Sequence, residues 1–310
     1  MRNHTEITLF ILQGLTDDPW LKVLIFIFLF FTYILTIIGN LIIITLTLTD
    51  AQLKTPMYFF LQNFSFLEVA FTTAYISRYL YSFSTGDKTI THNACFAQIF
   101  FVVLLGVTEC FLLATMSYDR YVAICRPLHY TTIMNSKVCN QFLLSSWLAG
   151  LMTVLPPLSL GLQMEFCDSN IIDHFACEAF PLIKIACSDT QFIEKIVLIF
   201  AALTLIVNFL VLLSYAHIIK TVLRFPSAKQ RKKAFSTCSS HVIVVSITFE
   251  GSIFIYMKPS TKVVPLNKVV SLLITSVAPV MNPLTYALRN EQVIRTSKNL
   301  AKKIFFLSKQ

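Results

Sequence analysis

Several ionisable side chains of this 310-residue chain sit in stretches where nearly everything else is apolar, among them Glu68, Glu109, Asp119, Arg120 and Glu250. A charge in such surroundings is costly and usually functional. Asp119 and Arg120 adjoin each other in the stretch MSYDRYVAIC, Met116 to Cys125. An acid beside a base can be an interfacial ion pair that anchors a helix end. It can also be a latch that holds a crevice shut until a partner enters. Glu109 lies three helical turns before Arg120 on the same face. Glu68 lies near the middle of another apolar stretch. Glu250 could point into a cavity and favour an amine or hydroxyl ligand, carry a proton, or pair with a neighbouring segment. A catalytic set would need His and acids clustered at one depth. His217 and His241 instead stand singly, so the chain is read as having no enzymatic activity.

The elements that must position these groups follow from composition. Hydrophobic residues make up 55% of the chain and charged ones 13%, against about 25% charged in a soluble domain. The surplus of apolar side chains points to a bilayer, which a helix crosses in roughly 20 residues. Val23–Thr49, Val138–Met164, Ile196–Ile219 and Val269–Leu288 carry no Asp, Glu, Lys or Arg. Met57–Tyr79, Ala94–Cys125 and Ala234–Met257 are interrupted only by isolated charges or the Asp119-Arg120 pair. The expectation is an all-α membrane protein. Its seven-transmembrane helix bundle spans residues 23–289, with an N-terminal tail at 1–22 and a short amphipathic helix at 290–310. The first span would serve as the targeting signal, since no cleavable signal pattern precedes it.

Lys and Arg set the expected orientation. Sixteen fall on the side holding Arg120 and nine on the other, so the first side is cytoplasmic. The net charge of +9 is then a difference between two membrane faces, and nucleic acid is not needed as a partner. The N-terminus is expected outside, where Asn3-His4-Thr5 is an N-glycosylation acceptor. Cys95, Cys167, Cys177 and Cys187 share that oxidising side. Four cysteines allow three pairings, and spacing does not choose among them. Three of them lie in Glu165–Glu194, a long acidic segment of the length that is usually functional or disordered. Disulfides favour order, and a lid over a cavity is the expected form.

Six motifs occur in order along the chain: Gly39-Asn40, LKTPMYFFL (Leu53–Leu61), MSYDRYVAICRPLHY (Met116–Tyr130), Ser214-Tyr215, KAFSTCSSH (Lys233–His241) and PVMNPLTYALRN (Pro279–Asn290). In this the chain resembles the olfactory (odorant) receptors, a branch of the rhodopsin-like G-protein-coupled receptors. The resemblance implies a receptor in the plasma membrane, with its N-terminus extracellular and its C-terminus cytoplasmic. Small volatile molecules would bind among the helices, and a heterotrimeric stimulatory-type G protein would respond on the cytoplasmic face by raising cyclic AMP. It implies the disulfides Cys95–Cys177 and Cys167–Cys187. It makes Arg120 a switch residue restrained by Asp119, with Tyr121, Tyr215 and Tyr286 as its partners. It also places Asn40 and Asn282 in one layer with Glu68 and Glu109, where a sodium ion or a shared proton would balance the two carboxyls. Beyond that candidate ion, no cofactor is expected.

The pocket of such a receptor should be mostly apolar, with few polar anchors. Val102, Val103, Gly106 and Val107 of the third span are candidate ligand contacts. Leu203 of the fifth, Phe249, Ser252, Ile253 and Tyr256 of the sixth and Thr275 of the seventh complete the set. Two departures from the resemblance stand out. Phe249 replaces a frequent Tyr, and Glu250 stands where a small residue is common. The basic loop Lys220–Lys233 suits anionic lipid and a G-protein helix alike. A transporter or channel would want inverted repeats or a polar pathway, and the sequence has neither.

Overall fold

The computed structural model describes residues 8–167, 169–256, 264–289, 293, 295 and 296. Within the last two long helices only the backbone is described at 233, 236, 237, 240, 248–256, 264–267 and 284–289. The expected glycosylation site at Asn3 lies outside the described residues. So does the expected amphipathic helix at 290–310, apart from Val293, Arg295 and Thr296.

Seven helices of 26 residues or more follow one another: α1 (Pro19–Thr49), α2 (Pro56–Thr85), α3 (His92–Cys125), α5 (Ser136–Gly161), α7 (Gln191–Leu223), α8 (Ala228–Tyr256) and α9 (Val264–Arg289). Two short helices, α4 (Tyr130–Ile133) and α6 (Ala179–Ile183), lie in connections. α1, α3, α5 and α7 are long and apolar enough to cross a membrane. α9 carries a shorter apolar stretch, Lys268–Pro283. The helices start where local chemistry satisfies their first N–H groups. Asp18 caps α1 by accepting from Leu21 N at 2.9 Å, with Pro19 at the first helical position. Asn135 does the same for α5 through Val138 N at 3.1 Å. α2 stops at Gly86, whose φ of 75° lets the chain turn back.

α3 is the axis of the bundle. It packs against α2, α5, α7 and α8, and 56% of its most apolar stretch is buried, against 17–22% for α1, α5 and α7. Those three helices turn Phe31, Leu35, Leu148, Met152, Phe209 and Leu213 outward. Apolar side chains on the outside of a helical bundle fit a lipid solvent. Gly150 sets how closely α5 approaches α3: a Cβ there would lie 2.5 Å from the Thr108 hydroxyl and 2.9 Å from the Leu104 carbonyl.

A small sheet departs from the all-α expectation. β1 (Leu9–Leu12) lies between β2 (Thr89–Thr91), antiparallel to it, and β3 (Ile171–Ile172), parallel to it. The segment expected to be a tail is therefore clamped between two loops. Phe10 and Leu12 are buried beside Phe96, Phe166 and Ile172, so the strand is held by burial as well as by backbone hydrogen bonds.

Candidate ligand-binding site

A cavity of about 260 Å³ opens among α2, α3, α5, α7 and α9 toward the end of the bundle that carries the sheet. Its wall is apolar: Phe71, Phe96, Ile99, Val102, Val103, Val107, Val154, Val197, Phe200 and Ile274. Gly106 contributes by what it lacks. A Cβ there would meet only the Phe71 ring, at 3.5 Å. Val102, Val103, Gly106, Val107 and Thr275 all line this space. Leu203 does not. It is about half exposed on the outer face of α7, and Thr204, one position and about 100° further round the helix, lines the cavity instead. The expectation for Leu203 is corrected accordingly. The side chains of Phe249, Ser252, Ile253 and Tyr256 lie outside the described residues, as does that of Glu250.

The roof is the segment between α5 and α7. Cys177 is bonded to Cys95 at the start of α3, with their Cα atoms 5.4 Å apart. Cys187 is bonded to Cys167, with Cα atoms 6.0 Å apart. Gln98 reinforces the first staple: its Oε1 accepts from Cys177 N at 3.0 Å, and its Nε2 donates to the Ala74 carbonyl at 3.0 Å. Glu178 accepts a hydrogen bond from the Tyr75 hydroxyl and lies 3.6 Å from His174 Nε2. Lys268 of α9 pairs with Asp173 and donates to the Gly14 carbonyl at 3.3 Å. Cys177, Glu178, Phe180, Leu182 and Ile183 face down into the cavity. Sequence reasoning anticipated a lid but missed Tyr75, Gln98, His174 and Lys268. The acid–base complementarity of Asp173, Glu178 and Lys268 was a usable signal; the positions of Tyr75 and Gln98 were not readable without the fold.

The floor is polar. Glu68 accepts a hydrogen bond from Asn282, and Glu68 and Glu109 lie close enough to interact electrostatically. Both line the cavity. Asn40 is buried nearby, yet its amide donates to the Thr36 carbonyl at 3.0 Å and the Pro279 carbonyl at 3.4 Å rather than to either acid. Asn208, absent from the sequence-derived set, joins this floor from α7 and accepts from the Cys110 thiol at 3.4 Å.

At the far end of α3, Asp119 is buried and holds Arg120 through Nε at 2.9 Å and through Nη2. Its second oxygen accepts from the Tyr130 hydroxyl of α4 at 2.8 Å. The sequence implied a pair in partial contact with water; the Asp119 side chain is 1% exposed and that of Arg120 14%. Burial, followed by the neighbouring Asp119 charge, pushes the Tyr130 phenol above its ordinary range. The phenol therefore stays a donor. Tyr215 stacks on His241 with ring centres 6.2 Å apart, and Tyr121 lies 5.9 Å from His217. The Tyr286 side chain lies outside the described residues.

An apolar cavity under a stapled roof is joined by one central helix to a buried acid–base pair, within a helical bundle whose α1, α3, α5 and α7 are able to cross a membrane. A family model described as "Olfactory receptor" matches residues 29–303. The chain belongs to the olfactory receptor family. It is 64% identical to human olfactory receptor 6C2 over 312 residues, covering all of both chains. It is 60% identical to human olfactory receptor 6C68, again over the full length of both. Human olfactory receptor 6C74 is 60% identical over 99% of each chain. The protein is accordingly a multi-pass membrane protein of that family.

Proposed function

We propose that this protein is an odorant receptor that binds a small volatile molecule in the cavity beneath the disulfide-anchored roof and signals through a heterotrimeric stimulatory-type G protein. The observation that carries the reading is the cavity itself. It is small and mostly apolar, with acidic groups at its floor and roof among the described residues. In this reading all seven long helices span the membrane, α2, α8 and α9 among them. The end bearing the sheet and both disulfides is extracellular, and Asn3 is glycosylated there. The end bearing Arg120 and the basic segment Lys220–Lys233 faces the cytoplasm, where lipid and the G protein meet it.

Signalling needs only a difference in affinity between two arrangements of the bundle. A ligand touching α3, α7 and α9 biases their packing, which changes the surroundings of Asp119 and Arg120 at the other end of α3. Release of Arg120 then opens a site for the G protein, with Tyr121, Tyr215 and Tyr286 as its new neighbours. The residues at the floor also fit a sodium ion in the resting state. Glu68 Oε2 is buried without a partner among the described residues, and the Glu109 carboxyl lines the same space. Two carboxyl oxygens are suitable hard ligands for such an ion. Bound there, sodium would offset the charge of the two acids.

The decisive experiment is a chemically diverse odorant panel applied to cells displaying the receptor, with cyclic AMP as readout. Agonists should raise cyclic AMP, and Gly106→Val should change which agonists act while surface display is kept. Agonist-driven current or flux in a receptor-only membrane would instead make the protein a channel or transporter.

A further inference from the structure

The floor of the cavity leaves hydrogen-bonding groups of opposite kinds without partners among the described residues. Asn208 is buried, and its Oδ1 accepts from Cys110, yet its Nδ2 has no hydrogen-bond partner among the described residues. Glu109 lines the cavity, and its carboxyl has no hydrogen bond to any described residue. Val103, Gly106 and Val107, which face this space higher up, offer nothing polar, and the hydroxyls of Thr153 and Thr275 already donate to the Ala149 and Ser271 carbonyls. The roof is different: Glu178 already has Tyr75 and His174 as partners. Among the described residues, a ligand's polar group therefore finds its open partners at the floor, about one helical turn below Gly106.

We infer that the cavity takes a small apolar alcohol whose hydroxyl seats at this floor, donating to the Glu109 carboxyl and accepting from Asn208 Nδ2. The choice follows from what each head group offers. A hydrocarbon meets neither need. An ether, ketone or aldehyde only accepts, which leaves an ionised Glu109 carboxylate without a donor. An ammonium only donates, which leaves the Asn208 amide unmet. A hydroxyl does both. A sodium ion on Glu68 does not replace it, because an amide N–H cannot ligate a cation. A site that hydrogen-bonds a hydroxyl discriminates strongly against analogues lacking one, since its own polar groups then stay buried and unpaired.

The inference rests on the reading of this cavity as the odorant site, and the test separates the two. Full-length receptor is displayed on cells with a cyclic AMP readout. Matched carbon skeletons are each presented as hydrocarbon, methyl ether, aldehyde, primary amine and primary alcohol. The alcohol should act at a concentration about tenfold or more below its ether and hydrocarbon. Asn208→Leu should remove most of that advantage, and Glu109→Gln, which keeps an acceptor but loses charge, should remove part of it. If a variant is not displayed, the matched analogues on the unaltered receptor decide the matter alone. The inference is overturned by alcohols no more potent than their ethers, by alcohol potency unchanged in a displayed Asn208→Leu receptor, or by no active alcohol in the set. Gly106→Val marks the other failure. If it alters the potency of whatever agonists are found, the cavity remains the odorant site and only the choice of head group is wrong. If it alters none, the cavity reading falls with it.

Discussion

Asp119 is the residue on which the resting state depends most directly. Its two oxygens are shared between a guanidinium and a phenol, and none of the three groups is well exposed. Removing one partner of a buried ion pair commonly costs about 3–5 kcal/mol, because the other charge is left uncompensated. Arg120→Ala should therefore lower surface yield, and the receptor that does reach the surface should bind odorant without raising cyclic AMP. Normal responses from displayed Arg120→Ala receptor would reduce the pair to an anchor. Tyr130→Phe tests the brace that the sequence did not announce. It removes one hydrogen bond to a charged acceptor, a loss of about 1.5–3 kcal/mol, and should raise basal cyclic AMP without changing odorant potency rank. Asp119→Asn keeps an oxygen for Tyr130 but loses the charge, so it should raise basal signalling further. At this scale the sequence was partly legible. Adjacent opposite charges announce a pair anywhere, whereas Tyr130 reaches Asp119 only because the chain turns back through Pro127–His129 after α3. Leu203 failed for a related reason. Apolar residues surround a lipid-facing helix on all sides, so composition does not say which side faces inward.

Among the elements, the roof segment departs most from what apolar patterning can foretell. The long helices announce themselves by runs of residues without charge. The roof has no such pattern; its shape comes from contacts distant in sequence. Cys177 reaches back 82 residues to Cys95, Glu178 reaches back to Tyr75, and Lys268 reaches Asp173 and Gly14 from α9. β1 was missed for the same reason: a four-residue strand next to β2 and β3 has no periodicity long enough to stand out. Loss of a native disulfide costs about 2–5 kcal/mol, so Cys95→Ala or Cys177→Ala should abolish surface display. Peptide mapping that finds Cys95 as a free thiol in active receptor would contradict the staple. The polar anchors are weaker and should separate function from folding. Tyr75→Phe leaves Glu178 with His174 alone, and should keep display while shifting odorant potency several-fold. An unchanged potency would mean that the roof is held by its disulfide and buried side chains without help from this contact.

For the whole molecule, the arrangement along α3 matters most. Cys95 and Arg120 lie 25 residues apart on one uninterrupted helix, about 37 Å at 1.5 Å per residue. The cavity occupies the half near Cys95, and Asp119 and Arg120 occupy the other. If the two ends are alternatives of one two-state bundle, their coupling must be reciprocal: whatever the odorant does for the G protein, the G protein does for the odorant by the same factor. Couplings of this kind are typically about 1–3 kcal/mol, or roughly 5- to 150-fold in affinity. Purified receptor in lipid should then bind an identified agonist more tightly when nucleotide-free G protein is present, by a factor in that range. Arg120→Ala should hold agonist affinity at the low value with or without the G protein. Sodium at Glu68 and Glu109 would act on the same equilibrium from the middle of the helix, favouring the resting state. Replacing external sodium with a large organic cation should then raise agonist affinity in the unaltered receptor and change it less in Glu109→Gln. Identical sodium dependence in the two receptors, or none in either, would remove the ion from the scheme and leave a shared proton between the two acids. Agonist affinity indifferent to the G protein would show that the halves of α3 are not coupled, and that the cavity beneath the roof binds without signalling.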